Sequence, residues 1–136
     1  MILRVLNYMT KSPHSIAPDE TLAIARTRME QFGIRHLPVI DGTRLVGVIS
    51  SRDLFLLDAL KDRSLHLLKV GDVMTEQPYA VHAQTPISEV ATEMAKLRIG
   101  SAVVLDGTRV VGVFTTVDAL RALADLSRNQ QLQKQP

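Results

Sequence analysis

The chain has 136 residues, and its 16 basic and 14 acidic side chains leave a net charge of +2. So small an excess predicts no clustered positive surface and therefore no nucleic-acid partner. The absence of cysteine excludes disulfides, thiolate metal sites and a cysteine nucleophile. No apolar run is as long as a membrane span, and the first residues do not form a signal peptide. We therefore expect a cytoplasmic protein that does not bind a membrane.

A length of 136 residues would suit one domain, yet the sequence contains two copies of one pattern. Residues 41–48 recur at 106–113 with seven identities in eight positions. The same displacement of 65 residues aligns 5–57 with 70–122, and 16 of the 53 aligned pairs are identical. We predict a first repeat over residues 1–60, a connector over 61–69, a second repeat over 70–126 and a disordered tail over 127–136.

Each copy predicts three short strands and two helices in the order β-α-β-β-α. Apolar residues at helical spacing indicate the first helix, and an Asp-Gly pair between β-branched runs indicates a hairpin. The predicted elements cover residues 15–18, 21–32, 36–40, 44–49 and 51–60 in the first copy, and 79–82, 86–97, 101–105, 109–114 and from 115 onward in the second. Pro86 is expected at the first helical position. The fold class is therefore α/β of the α+β type, with small three-stranded sheets.

The packing of the copies also follows from their size. A unit of about 55 residues cannot bury both faces of a small sheet, so we expect the two copies to pack together about a pseudo-twofold axis. The second helix of the first copy, residues 51–60, is apolar nearly all round. We therefore predict a homodimer in which this helix lies at an isologous interface.

Matching sets of motifs occur in the two copies. The first copy contains Val5-Leu-Asn-Tyr-Met-Thr10 with Pro13, Gly33-Ile-Arg-His-Leu-Pro-Val-Ile40 and Leu45-Val-Gly-Val-Ile-Ser-Ser-Arg-Asp53. The second contains Val70-Gly-Asp-Val-Met-Thr75 with Pro78, Ile99-Gly-Ser-Ala-Val-Val-Leu105 and Val111-Gly-Val-Phe-Thr-Thr-Val-Asp118. These paired motifs resemble a tandem pair of CBS domains, a regulatory module. The resemblance implies an adenosine-containing ligand bound in a cleft between the repeats.

The resemblance also implies which residues touch that ligand. Hydroxyl and carboxylate groups of the strand-to-helix turns would face the ribose and phosphate, namely Ser50, Asp53, Thr115 and Asp118. Apolar strand positions would hold the base, namely Ile16, Ala17, Leu37, Pro38, Val81, His82 and Ala102. The same hydroxyl and carboxylate at this spacing would also be expected simply to cap a helix, so both interpretations stay open.

The two copies differ in the charges available for phosphate. The first has Arg35, His36 and Arg52 near its turn, whereas the second has Gly100, Ser101 and Val117 at the same positions. Cationic groups form strong hydrogen bonds with phosphate, so we expect the site centred on Asp53 to be the tighter one. Ser101 is included among the candidate ligand-binding residues as the counterpart of His36.

The predicted function is a regulatory module that senses an adenine nucleotide (AMP, ADP, ATP or a related adenosyl ligand) and signals to an unidentified effector protein by conformational change. No obligatory cofactor is expected. The four histidines lack metal-ligand spacing, and no nucleophile–base pair or Walker-type loop is found, so neither a metal site nor an enzyme is predicted. The alternative is a structural homodimerisation module with vestigial ligand clefts.

Overall fold

The computed structural model of the chain describes residues 2–11, 13–59 and 66–134. Its helices are a 3₁₀ turn at Val5–Asn7, α1 at Leu22–Phe32, α2 at Ser51–Ala59, α3 at Val70–Val73, α4 at Ile87–Leu97 and α5 at Thr116–Lys134. Its strands are β1 at Thr10–Lys11, β2 at His36–Asp41, β3 at Arg44–Ser50, β4 at Thr75–Glu76, β5 at Ala80–His82, β6 at Ser101–Asp106 and β7 at Arg109–Thr115. The mixed α/β class predicted from the sequence is confirmed.

The helix starts differ slightly from the expected ones because their first predicted residues are caps. The Thr21 hydroxyl accepts a hydrogen bond from the N–H of Ile24 at 3.3 Å, so the helical conformation begins one residue later. Pro86 is the N-cap of α4 rather than its first residue, because its backbone is extended (ψ 141°) while its carbonyl already accepts from Glu89 and Val90. The prediction that placed Pro86 inside the helix was therefore wrong by one position.

The strands form one sheet of three and one of four, in the orders β2-β3-β4 and β1-β7-β6-β5. The three strands expected in the second copy pair as β7-β6-β5, and β1 adds a fourth strand to them. In the other sheet, β4 from the second repeat pairs with β3, so neither sheet has the expected composition. The strand expected over residues 15–18 is reduced to a parallel bridge between Ile16 and Val39. At this bridge the N–H of Ile16 donates to the carbonyl of Pro38, and the N–H of Ile40 donates to the carbonyl of Ile16. The two-residue strands β1 and β4 carry no alternating apolar pattern, which is why the sequence did not indicate them.

The chain divides into two units whose boundaries cut across the sequence repeats. Of the described residues, one unit contains 2–11, 79–107 and 111–134, and the other contains 13–59, 66–78 and 108–110. The leading segment of each repeat, which includes β1 in the first and β4 in the second, therefore packs with the body of the other repeat. The repeat seen in the sequence is not by itself the folding unit.

Each unit has its own apolar core. In the unit around α1, buried Leu22, Leu37, Ile49, Leu54 and Val70 belong to one cluster. In the unit around α4, the corresponding cluster contains Val5, Val90, Val104, Phe114 and Ala122. Val70 and Val5 come from the leading segments, so exchanging these segments completes both cores.

Two glycines allow the leading segments to approach the sheets closely. A Cβ on Gly47 would lie 2.5 Å from the Sδ of Met74 and 2.8 Å from the carbonyl oxygen of Thr75. A Cβ on Gly112 would lie 2.7 Å from the Sδ of Met9 and 2.8 Å from the carbonyl oxygen of Thr10. All four distances are far shorter than an ordinary van der Waals contact between these atoms, so only glycine fits at the two positions without a shift of the neighbouring segment.

The end of the chain differs from the expected disordered tail. Helix α5 continues to Lys134, eight residues past the boundary predicted at residue 126. The sequence offers no glycine or proline between these points, and Arg128 forms an ion pair with Asp125 one turn earlier. The polar composition that suggested disorder is compatible with a solvated helix.

Several large apolar side chains remain exposed on the helices. On α2, the side chains of Phe55 and Leu56 are exposed while Leu54 is buried. On α5, the exposed residues are Val117, Leu120, Leu123 and Leu126. None of the helices within the described residues has the length and hydropathy needed to cross a membrane.

Candidate functional site

The turn from β3 into α2 is organised by a reciprocal pair of polar side chains. The N–H and the hydroxyl of Ser50 both donate to Oδ2 of Asp53, at 2.9 and 3.0 Å, and the N–H of Asp53 donates to the Ser50 hydroxyl oxygen at 3.3 Å. The N–H of Ser51 donates to the carbonyl of Arg35 at 2.8 Å. The helix-capping interpretation is therefore correct for these residues.

Capping uses only part of the Asp53 carboxylate. Both hydrogen bonds from Ser50 go to Oδ2, and no donor among the described residues is within hydrogen-bonding distance of Oδ1. Asp53 is half-buried and lies in the first turn of α2, where the helix dipole favours a negative charge. One carboxylate oxygen thus remains able to accept a hydrogen bond from a bound molecule.

Cationic and imidazole groups belong to the residues at and next to this turn. His36 pairs with Ser50 in the β2–β3 ladder. The pKa of His36 is lowered, mainly because the imidazole is partly buried. The negative charge of Asp53 raises this pKa, and the positive charge of Arg35 lowers it further. Arg35 and Arg52 are both exposed. The fold therefore brings Arg35, His36, Ser50 and Asp53 to one end of β2 and β3.

The apolar candidates of this unit lie close by but are largely covered. Ile16 donates its N–H to the carbonyl of Pro38 at 3.0 Å, which places it beside β2. The side chains of Ile16, Leu37 and Pro38 are buried, and Ile16 and Leu37 belong to the apolar cluster. Any ligand contact from these two residues would therefore be made by their backbone atoms.

Sequence reasoning missed a polar group that holds the segment containing Ala17. The N–H of Ala17 donates to Oε2 of Glu20 at 2.8 Å, and Glu20 forms an ion pair with Arg28 at 3.1 Å. Arg28 also donates to the carbonyl of Ser15 at 2.8 Å. Burial raises the pKa of Glu20, but the bonds from Ala17 and Arg28 outweigh it and lower the pKa overall. No spacing rule connects these residues, since the pair spans eight positions.

The second repeat has the same turn with a different surrounding. The N–H and hydroxyl of Thr115 donate to Oδ2 of Asp118 at 2.9 and 3.3 Å, and the N–H of Thr116 donates to the carbonyl of Gly100 at 3.1 Å. Asp118 is only 3% exposed, and its Oδ1 lies 3.7 Å from Nη1 of Arg121. Arg121 is a cation that the sequence comparison did not single out.

The remaining candidates of the second repeat lie on β5 and β6. Val81 and His82 pair with Val104 and Leu105 in the parallel ladder, and His82 is exposed at the end of β5. Ala102 is fully buried in the apolar cluster, whereas Ser101 at the start of β6 is half-buried. Ala102 can therefore offer a ligand only backbone atoms, like Ile16 and Leu37 in the other unit.

No metal site is assembled in the part of the chain that the structure describes. Within residues 2–11, 13–59 and 66–134, no group of three or more histidine, aspartate or glutamate side chains could hold a metal ion.

The sequence matches known proteins along most of its length. The CBS domain profile matches residues 5–59 and 70–125. The chain is 34% identical over 134 residues to a CBS domain-containing protein of Dictyostelium discoideum, covering 90% of this chain and 92% of that protein. It is also 28% identical over 118 residues to inosine-5'-monophosphate dehydrogenase of Korarchaeum cryptofilum, although the match covers 86% of this chain and only 24% of the enzyme.

Solved structures agree with this assignment. The CBS domain pair of protein MJ0100, in complex with 5'-methylthioadenosine and S-adenosyl-L-methionine, is 28% identical with a TM-score of 0.84, covering 92% of this chain and 98% of that one. CBSX2 in complex with AMP, a protein of Arabidopsis thaliana, is 27% identical with a TM-score of 0.78, covering 91% and 98%. The chain therefore belongs to the CBS-domain family and carries two tandem copies of the domain.

Proposed function

We propose that this protein is a regulatory module, without catalytic activity of its own, that binds an adenine nucleotide at the strand-to-helix turns of its repeats. The expected ligand is AMP, ADP, ATP or a related adenosyl compound. Binding passes to an unidentified effector protein through a change in conformation. The observation that carries the proposal is the Asp53 carboxylate, which accepts two hydrogen bonds from Ser50 on Oδ2 and none from the described residues on Oδ1.

The ribose would be bound by this carboxylate. A ribose presents two neighbouring hydroxyl donors, and an ionised carboxylate is an acceptor with two oxygens. Oδ2 of Asp53 is already engaged by Ser50, so Oδ1 supplies the stronger contact. The capping bonds fix the rotamer of Asp53 before the ligand arrives, which reduces the entropy lost on binding.

The phosphate would be bound by groups at the same end of the sheet. Arg35 and Arg52 provide exposed guanidinium groups, and the N-terminus of α2 contributes the positive end of the helix dipole, although the N–H groups of Ser51 and Asp53 are already bonded within the protein. His36 lies opposite Ser50 and gains affinity for a proton when a phosphate comes near. These groups support an anionic ligand rather than an uncharged nucleoside.

Two relatives support the ligand class. MJ0100 was solved with methylthioadenosine and S-adenosylmethionine, and CBSX2 was solved with AMP. The ligands share an adenosine group and differ in charge. The cationic residues beside Asp53 favour the phosphorylated ones for this chain.

The first experiment is a thermal-shift panel of AMP, ADP, ATP and S-adenosylmethionine, followed by calorimetric titration of the responding ligand. A ligand at a hundred times its dissociation constant adds about 2.7 kcal/mol of stability. Asp53→Asn should weaken binding at least tenfold while keeping an oxygen for the Ser50 N–H. Asp41→Asn is the matched control, since it removes the same charge from an exposed hairpin turn that tolerates Asn-Gly.

Signalling requires a difference between the free and bound states, because a ligand shifts an equilibrium only when it prefers one conformation. Hydrogen exchange of the protein with saturating nucleotide should show changes beyond the turn at Ser50. If hydrogen exchange is identical with and without ligand at confirmed occupancy, the protein binds the nucleotide but does not change conformation, and the proposed regulatory role is wrong.

The alternative function is a structural homodimerisation module whose ligand sites are vestigial. It is favoured by the exposed apolar residues of α2 and α5, with Phe55 at 69% and Leu120 at 58% exposure. We propose a homodimer in either case, because such side chains gain from burial against a second copy. Light scattering should give a dimer that Phe55→Glu or Leu120→Glu weakens, and a panel with no thermal shift would favour the structural role alone.

A further inference from the structure

The two aspartates differ in how much of each carboxylate a ligand can use. In both turns Oδ2 accepts from the preceding hydroxyl residue, so this oxygen does not distinguish them. Oδ1 of Asp118 forms an ion pair with Nη1 of Arg121 at 3.7 Å, a distance too long for a hydrogen bond, whereas Asp53 forms no ion pair among the described residues. Asp118 is also 3% exposed, while Asp53 is half-buried.

The cause lies in one difference between the repeats. Arg121 stands three residues after Asp118 on α5, a spacing that places the two side chains on the same helix face. The displacement of 65 residues aligns Arg121 with Leu56, three residues after Asp53. Leu56 carries no charge, so the first repeat lacks this ion pair.

We propose that Arg121 competes with the nucleotide for Asp118 and thereby makes the second turn the weaker of two unequal sites. This inference rests on the function proposed above and names what sets the selectivity between its sites. A ribose that binds to Asp118 has to displace the guanidinium from Oδ1, whereas a ribose that binds to Asp53 displaces no protein group. The contact thus lowers affinity without blocking the turn.

The size of the effect follows from the geometry. The side chain of Arg121 is 68% exposed, so solvent screens its attraction to the carboxylate. Ion pairs of exposed side chains change an equilibrium constant by about two- to fivefold, and we use this range because the guanidinium, although not the carboxylate, is exposed to solvent. Replacing Arg121 should therefore strengthen binding at Asp118 by about two- to fivefold.

The variant Arg121→Leu places the residue of the first repeat in the second. Leucine and arginine have similar helix propensity, and an exposed position makes no core contact, so the fold should be retained. Arg128→Leu is the matched control, because Arg128 lies on the same helix and pairs with Asp125 at the same spacing. The control should not alter nucleotide affinity.

The experiment isolates each site before altering it. AMP is titrated calorimetrically into Asp53→Asn, in which binding depends on Asp118, and into Asp53→Asn combined with Arg121→Leu or Arg128→Leu. The reciprocal pair is Asp118→Asn with and without Leu56→Arg, which tests whether an arginine at this position weakens the Asp53 site. We expect the first comparison to show a gain in affinity and the second a loss of similar factor.

The outcomes separate the two proposals. A loss of affinity in Arg121→Leu would overturn the inference and make Arg121 a ligand contact, and an unchanged affinity would overturn it by removing any competition. Equal affinities of the two sites in the wild type would contradict it as well. A wild type that binds no AMP or other member of the panel overturns the proposed function, and the role of Arg121 with it.

Discussion

The exchange of leading segments makes a sharp prediction about Gly112. Replacing it with alanine places a Cβ 2.7 Å from the Sδ of Met9 and 2.8 Å from the carbonyl oxygen of Thr10. The methionine can move, but the Thr10 carbonyl belongs to β1, which pairs with β7 at Thr10 and Val113. The strand must therefore shift to relieve the clash.

The expected cost combines two effects of opposite sign. Overpacking a close contact destabilises a protein by about 1–3 kcal/mol. Replacing glycine by alanine also lowers the conformational entropy of the unfolded chain, which raises the free energy of unfolding by about 0.4–1 kcal/mol. The backbone oxygen at 2.8 Å cannot move as freely as a side chain, so Gly112→Ala should lower the free energy of unfolding by about 1–2 kcal/mol, the central part of the combined range. Gly47→Ala should do the same in the other unit, because its Cβ meets Met74 and Thr75.

Urea unfolding of single and double variants tests which segment packs on which glycine. Met9→Ala removes the Sδ that obstructs Gly112→Ala, so the two changes should couple by at least about 0.5 kcal/mol. Met74→Ala should couple in the same way with Gly47→Ala. The crossed pair of Met9→Ala with Gly47→Ala should be additive. Coupling in the crossed pair, or a Gly112→Ala variant as stable as the wild type, would refute the exchange of segments.

Three further predictions concern local features. Burial lowers the pKa of His36, so the unfolded state binds a proton more readily than the folded state. The free energy of unfolding should therefore fall as the pH drops below about 6.5. The variant His36→Gln should lose this pH dependence when unfolding is measured at several pH values. Arg98 caps α4 at φ 56°, where the first repeat has Gly33 at φ 63°, and Arg98→Gly should raise stability by about 0.5–1 kcal/mol in urea unfolding. Arg28→Met should lower it by about 1 kcal/mol by removing the bonds to Glu20 and Ser15, and unchanged stability would exclude a supporting role for that group.

Local patterns predicted most of the secondary structure. The apolar stripe of residues 21–32, the Asp-Gly hairpins and the spacing of Ser50 and Asp53 each depend on neighbours a few positions apart. Such features are visible in one sequence, and all three lie where they were expected. The displacement of 65 residues then transferred each assignment to the second repeat.

The features that were missed depend on residues far apart in the chain. The strands β1 and β4 have two residues each, too few for a period, and they exist because β7 and β3 offer pairing partners. Glu20 lies just before α1 and forms an ion pair with Arg28, eight residues later within that helix, and no spacing rule indicates this contact. Helix α5 exceeded its predicted length because composition alone does not distinguish a solvated helix from a disordered tail.

The sequence by itself determined the repeat, the elements within it and the residues at the two turns. Only the tertiary structure decided that the leading segment of each repeat packs with the body of the other, because two repeats of the same pattern offer similar packing partners. It also decided that Asp118 faces a guanidinium whereas Asp53 keeps an oxygen free. The burial of a carboxylate and the direction of the neighbouring side chains determine whether its oxygens can bind a ligand. Neither property follows from the spacing of residues in the sequence.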